Sequence, residues 1–303
     1  MPRGCYQQLV ISLVLPENQE MQARVIHANL MKNFFEREPE SSPYIVKNFS
    51  SQLRKSSGFH VLDPNLAAQV PSDMCALAVM TKAPRAGQVK TRLVPPLTPD
   101  DAAELNKCFL RDTAASISSI TADKDACGIA VYTPVGSESA YADILPDNFS
   151  LLPQRGEKFG ERLYLAVEDL FRCGFESLCL IDSDSPTVPA ENFATAVGLL
   201  NSNNDRVLLG PSDDGGYYLI GLKKPHHELF ELIDWSTERV FDQTMRRARE
   251  MGLEIKLLPR GYDVDDAASL HRLCNELLRD NIRADIAPNT RKFLASLIAR
   301  KKL

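Results

Sequence analysis

The chain has 303 residues, 44% hydrophobic and 25% charged, enough for one large or two ordinary globular domains with a substantial core. A net charge of -5 with no long basic block argues against a nucleic-acid partner, and no apolar run approaches the ~20 residues of a membrane span. The seven cysteines are scattered, with neither a C-x-x-C pair nor zinc spacing, as in a reduced cytoplasmic protein.

In chain order, Leu9 to Leu15 is too short for a signal peptide and runs into Pro16 and Glu17. From Glu17 to Glu38, Met21, Val25, Ile26, Leu30, Met31, Phe34 and Phe35 recur at helical spacing and predict an amphipathic helix. Its apolar face needs a cover: the main domain, a second subunit in a homodimer or other docking partner, or a membrane surface. Ser41 to Pro71 is rich in Ser, Pro, Asn and Gln and reads as loosely ordered. This divides the chain into an extension (1–72), a domain (73–280) and a helical tail (281–303).

The domain opens with Cys75 to Met80, an apolar run that reads as a buried strand. Thr81 to Leu93 follows, carrying Lys82, Arg85, Lys90 and Arg92, with Pro84 and Gly87 shaping its turns. Cations and close backbone after a first strand suit phosphate binding, although the loop is neither a P-loop nor a G-x-G-x-x-G fingerprint. Thr98-Pro99 caps a helix to about Ile120. Cys127 to Tyr132 is the next strand, then a loop with a short helix over Ser139 to Leu145, and an extended Leu151 to Pro153. Gln154 to Leu163 leads into an amphipathic helix ending near Cys173.

Leu178 to Ile181 is a strand that stops in Asp182-Ser183-Asp184-Ser185-Pro186. Pro186 cannot continue a central strand, so both carboxylates stand at a strand's carboxyl end, where open α/β sheets bind ligands. There a D-x-D can hold a hard divalent cation, or simply cap the loop. Pro189 to Leu200 is a helix and Arg206 to Gly210 a strand. Asp213-Asp214-Gly215-Gly216 then precedes a strand over Tyr217 to Leu222, either as a tight turn or as a ligand-facing cluster. Trp235 reads as a core residue. A helix capped by Ser236 or Thr237 covers Glu238 to Met251, a last strand covers Leu253 to Leu258, and a helix runs from Ala267 to about Arg279 after Asp263-Val264-Asp265. The alternation predicts an α/β fold, a mostly parallel sheet with helices on both faces.

In order along the chain, MTKAPRAGQVKTRL (80–93), GEKFGERL (156–163), LIDSDSPTVP (180–189), GPSDDGGYYLIGL (210–222), DWSTERV (234–240) and DVDDAASL (263–270) resemble the bacterial GT-A-type family of rSAM/selenodomain-associated transferases, also called the arsenosugar-biosynthesis glycosyltransferase family. That family is similar to molybdenum-cofactor and phospholactate guanylyltransferases. The resemblance spans about 74–280. It departs at Asp182, where family members often have Gly, and at Lys158-Phe159, where they often have Asp-Leu.

The resemblance implies a nucleotide-diphospho-sugar transferase domain whose 80–93 loop holds nucleotide phosphates. It implies Asp184 as principal metal ligand for Mg²⁺ or Mn²⁺, with Asp182 nearby and Asp265 as a second ligand, and Asp214-Gly215-Gly216-Tyr217 as the wall of the acceptor or sugar site. Asp213 or Asp214 could then deprotonate the acceptor. The expected activity is glycosyl transfer from a nucleoside-diphosphate sugar to a small acceptor. The alternatives are nucleotidylyl transfer with release of pyrophosphate, and a catalytically silent binding protein.

Overall fold

Continuous apolar runs build the centre of the molecule. The computed structural model describes residues 58–66, 69–121, 125–279 and 283–300. They fall in one compact unit, Ser56–Leu303; the other unit, Met1–Lys55, lies outside the described residues, and with it the expected helix over 17–38. Eight strands form one sheet: β1 (His60–Val61), β2 (Cys75–Lys82), β3 (Ala126–Thr133), β4 (Ser150–Pro153), β5 (Ser177–Ile181), β6 (Arg206–Pro211), β7 (Tyr217–Leu222) and β8 (Glu254–Leu257). Their spatial order is β1-β4-β3-β2-β5-β7-β6-β8. All pairings are parallel except those of β7, which runs antiparallel to β5 and β6. β5 and β6 are buried at every position, as strands covered on both faces must be.

Among the described residues six α-helices accompany the sheet: α1 (Pro99–Thr121), α2 (Phe159–Arg172), α3 (Ala190–Leu200), α4 (Val240–Glu250), α5 (Ala267–Leu277) and α6 (Pro288–Ala299). α1 and α3 bury Leu110, Ile117, Phe193 and Val197 on one face. α2 and α4 bury Leu163, Val167, Leu170 and Ala248 on the other. This is the mostly parallel α/β sheet with helices on both faces that the alternation of elements predicts. Among the described residues, no helix is long and apolar enough to cross a membrane.

Three details depart from expectation. His60–Val61 pairs with β4 inside the stretch read as loose, and Leu62 beyond it is buried, so the sheet extends before Met74. The helix in the region read as a tail, α6 (Pro288–Ala299), packs on the domain. α6 buries Leu294 and Leu297 in a third core with Phe109 of α1 and Leu273 of α5. Its N-terminus is held by buried Asp112, which accepts from the Asn289 and Thr290 amides, both at 2.9 Å. The expected helix over Ser139 to Leu145 is only a 3₁₀ turn, Glu138–Tyr141.

Candidate active site

The site assembles where β2, β5 and β6 end. At the end of β5, the Asp182 amide donates to Tyr218 O at 2.9 Å. The Asp182 carboxylate accepts from the Asp184 amide (3.3 Å), the Ser185 amide (3.2 Å) and Ser185 Oγ (2.8 Å). Asp182 therefore organises the loop and aims Asp184 outward. Burial, with repulsion from Asp184, pushes the Asp182 carboxyl up to about 8. The Asp263–Asp265 segment is stitched alongside, because Val264 N donates to Asp184 O at 3.0 Å. Asp266 then caps α5 through the Ser269 amide at 2.8 Å.

Asp184 and Asp265 converge on one ammonium. Lys90 Nζ lies 2.8 Å from Asp184 Oδ1 and 2.9 Å from Asp265 Oδ1, and donates to Val264 O at 2.8 Å. Three acceptors match its three donors. The Lys90 side chain is only 4% exposed and stands 5.5 Å from the centre of the Phe109 ring. Burial works against its charge, but the two carboxylates outweigh it and hold the ammonium above its usual range. Its backbone is left-handed (φ 48°), a conformation that costs a non-glycine residue roughly 1–2 kcal/mol and accompanies functional sites. Arg92, beside it, reaches Asp265 Oδ2 at 3.8 Å.

Two cavities meet at this cluster. The smaller, about 250 Å³, is lined by Lys82, Gln88, Lys90, Thr91, Arg92 and Asn106, with Asp184 and Asp265 at its edge. Arg85 and Gly87 do not line it; Gly87 (φ 72°) shapes the turn that brings Lys90 inward. The larger, about 510 Å³, holds Asp182, Asp184, Asp214, Gly216, Tyr217, Glu238, Asp263 and Asp265, and an aromatic wall of Phe159 and Trp235. Asp263 is pushed up to about 6 by burial and by Asp214 and Asp265 nearby.

The Asp-Asp-Gly-Gly segment is both of the things its sequence allowed. Asp214 Oδ1 accepts the Gly216 amide at 2.8 Å, closing a turn, and Asp214 faces the large cavity. Gly215 (φ 88°) does not line that cavity. It lies against the backbone of Glu238, where a Cβ would collide, and its carbonyl accepts the Phe241 amide at 2.8 Å. That bond, rather than a Ser236 or Thr237 cap, meets the start of α4, which begins at Val240. Asp213 points elsewhere: it pairs with Arg272 at 2.7 Å and borders a separate pocket.

Sequence reasoning did not single out Asn106, Glu238, Asp263 or Phe159. Glu238, Asp263 and Phe159 stood inside quoted motifs; Asn106, mid-helix, carried no signal. Among the described residues, no three His, Cys, Asp or Glu side chains converge as a closed metal cage. Asp184 and Asp265 nevertheless suit a hard cation: both present carboxylate oxygens to one positive centre, and Mg²⁺ commonly binds through one or two carboxylates with water and phosphate supplying the rest.

Residues 117–237 match the family model described as "Uncharacterized protein conserved in bacteria (DUF2064)". A crystal structure from Desulfovibrio desulfuricans G20, described as a candidate nucleotide-diphospho-sugar transferase, is 29% identical, covers 77% of this chain and 99% of its own, and has a TM-score of 0.66. The 4-diphosphocytidyl-2C-methyl-D-erythritol synthase of Anaerococcus prevotii is 13% identical, over 71% of this chain and 100% of its own, with a TM-score of 0.46. The glucosyl-3-phosphoglycerate synthase of Mycobacterium tuberculosis, solved with Mn²⁺, UDP and glucosyl-3-phosphoglycerate, is 11% identical, over 75% and 80%, with a TM-score of 0.41. No protein of curated function matches the sequence.

Proposed function

We propose that the chain is a metal-dependent glycosyltransferase that moves a sugar from a nucleoside-diphosphate sugar to a small acceptor. The observation that carries this reading is the convergence of Asp184 and Asp265 on one cationic centre, between a basic pocket and a larger acidic, aromatic one. The likeness to the Desulfovibrio protein supports it.

Asp184 and Asp265 would hold Mg²⁺ or Mn²⁺, which when bound supplies Lewis-acid stabilisation of the leaving diphosphate. Lys82 and Arg92 bind the phosphates by charge-assisted hydrogen bonds. Lys90, displaced from the two aspartates, turns to the same phosphates. Asp182 holds the Asp184 loop in place. Asp214, backed by Gly215, Gly216 and Tyr217, faces the acceptor. The acceptor hydroxyl oxygen attacks the anomeric carbon, the bond to the diphosphate oxygen breaks, and its electron pair leaves on the diphosphate. Asp214 takes the hydroxyl proton. Asp213, held by Arg272, orients the loop and has no chemical role.

Incubation with Mn²⁺, nucleoside-diphosphate sugars and nucleoside triphosphates tests the reading. Free nucleoside diphosphate supports it. Pyrophosphate release would replace it with nucleotidylyl transfer, and a protein that binds neither Mn²⁺ nor nucleotide would be a silent relative.

A further inference from the structure

The larger cavity has a wall that the transfer reaction alone does not explain. Phe159 opens α2 and is 54% exposed. Trp235 meets it edge-on, with ring centroids 5.4 Å apart at 75°, and Phe230 stacks behind the indole at 6.5 Å and 18°. Gly160 makes room for this arrangement, since a Cβ there would collide with the indole Nε1. Ser236 takes a left-handed backbone (φ 64°) directly after Trp235. The wall is thus an apolar corner in which two rings meet edge to face, with Phe230 behind the indole.

The rest of the cavity is acidic. Apart from Asp184 and Asp265, whose charge Lys90 or a divalent ion balances, it contains the carboxylates of Asp214, Glu238 and Asp263 against the single cation Arg92. Arg92 lies at the junction with the basic pocket, where a donor diphosphate would engage it. A phosphate or carboxylate deeper in the larger cavity would stand among carboxylates. Hydroxyl groups, by contrast, donate well to carboxylate oxygens, and the C–H face of a polyol ring packs on the face of an aromatic ring.

We propose that the larger cavity selects a polyhydroxyl acceptor bearing no phosphate or carboxylate, seated with its apolar face on Trp235 and Phe159. This rests on the glycosyl-transfer reading for the word acceptor, but the binding chemistry stands by itself.

Trp235 is the only tryptophan in the chain, so its emission reports this cavity directly. The full-length protein with Mn²⁺ at pH 7 is titrated with glucose, glucosamine and glucose 6-phosphate, one ring scaffold carrying three different charges. Glucose and glucosamine should give saturable changes in emission, at least about tenfold tighter than glucose 6-phosphate. Phe159→Ala should weaken glucose about fivefold or more. Equal or tighter binding of glucose 6-phosphate, no saturable response to any of the three sugars, or an unchanged glucose affinity in Phe159→Ala overturns the proposal. A parallel calorimetric titration with Mn²⁺ and UDP or GDP separates the two readings. Nucleotide binding without a Trp235 response keeps glycosyl transfer and sinks this assignment. A Trp235 response without nucleotide binding does the reverse.

Discussion

Lys90 stands where a metal ion is proposed to bind, and removing its charge tests that competition. The Lys90→Met side chain fits a site only 4% exposed beside Phe109, and Asp184 and Asp265 are exposed enough for water to solvate them. Mn²⁺ affinity without nucleotide should rise about tenfold, roughly 1.4 kcal/mol, while nucleoside-diphosphate affinity falls. Calorimetry reads both; Mn²⁺ affinity that stays the same or drops would show that the ammonium and the metal do not share a seat. Asp182 offers a second test, with no metal present. Its folded carboxyl lies near 8, against about 3.9 in an unfolded chain, so over roughly pH 4–8 the folded state binds the extra proton. Stability of the metal-free protein should fall as pH rises through that window, by up to about 1.4 kcal/mol per pH unit from this group. Asp182→Asn keeps an oxygen for the Asp184 and Ser185 amides and should flatten that slope in urea melts from pH 5 to 8.

Between elements, one joint is Asp112, which faces inward from α1 at 2% exposure and caps α6. Asp112→Ala would leave the Asn289 and Thr290 amides without their acceptor at a buried helix start, at a cost of about 2–3 kcal/mol. For a domain of this size that is a drop of roughly 5–10 °C in Tm. Mn²⁺ binding should survive, since Asp112 lines neither pocket of the cleft; an unchanged Tm would show that α6 contributes little. The same joint shows what the sequence could not convey. β2, β5 and β6 were legible because burial on both faces demands unbroken apolar runs, and Asp184 was legible as a carboxylate stranded at the end of one. Asp112 looked like any polar residue on an amphipathic helix, because its partner lies 177 positions away. Asp213 and Asp214 are neighbours in sequence, and only the turn decides that one faces Arg272 and the other the cleft. Trp235 read as core and is half core: one face packs on Phe230, the other borders the cavity. His60–Val61 is too short to show any period.

At the scale of the molecule, the arrangement of charge matters more than its total. A net charge of -5 would repel a nucleoside diphosphate if spread evenly, yet Lys82, Lys90 and Arg92 gather in one pocket while Asp214, Glu238 and Asp263 gather in the next. The two pockets should therefore respond differently to salt. Raising ionic strength from 0.1 to 1 M shortens the screening length from about 10 to about 3 Å. Affinity for Mn²⁺–nucleoside diphosphate should weaken about tenfold over that range, because Arg92 is 70% exposed and fully open to screening. Glucose, held by hydrogen bonds and aromatic contact, should keep its affinity within about twofold. Lys82→Ala with Arg92→Ala should remove most of the salt response of the nucleotide and leave that of the sugar alone. If both ligands lost affinity in parallel, salt would be acting on the fold as a whole, and the division of the cleft into a donor half and an acceptor half would fail.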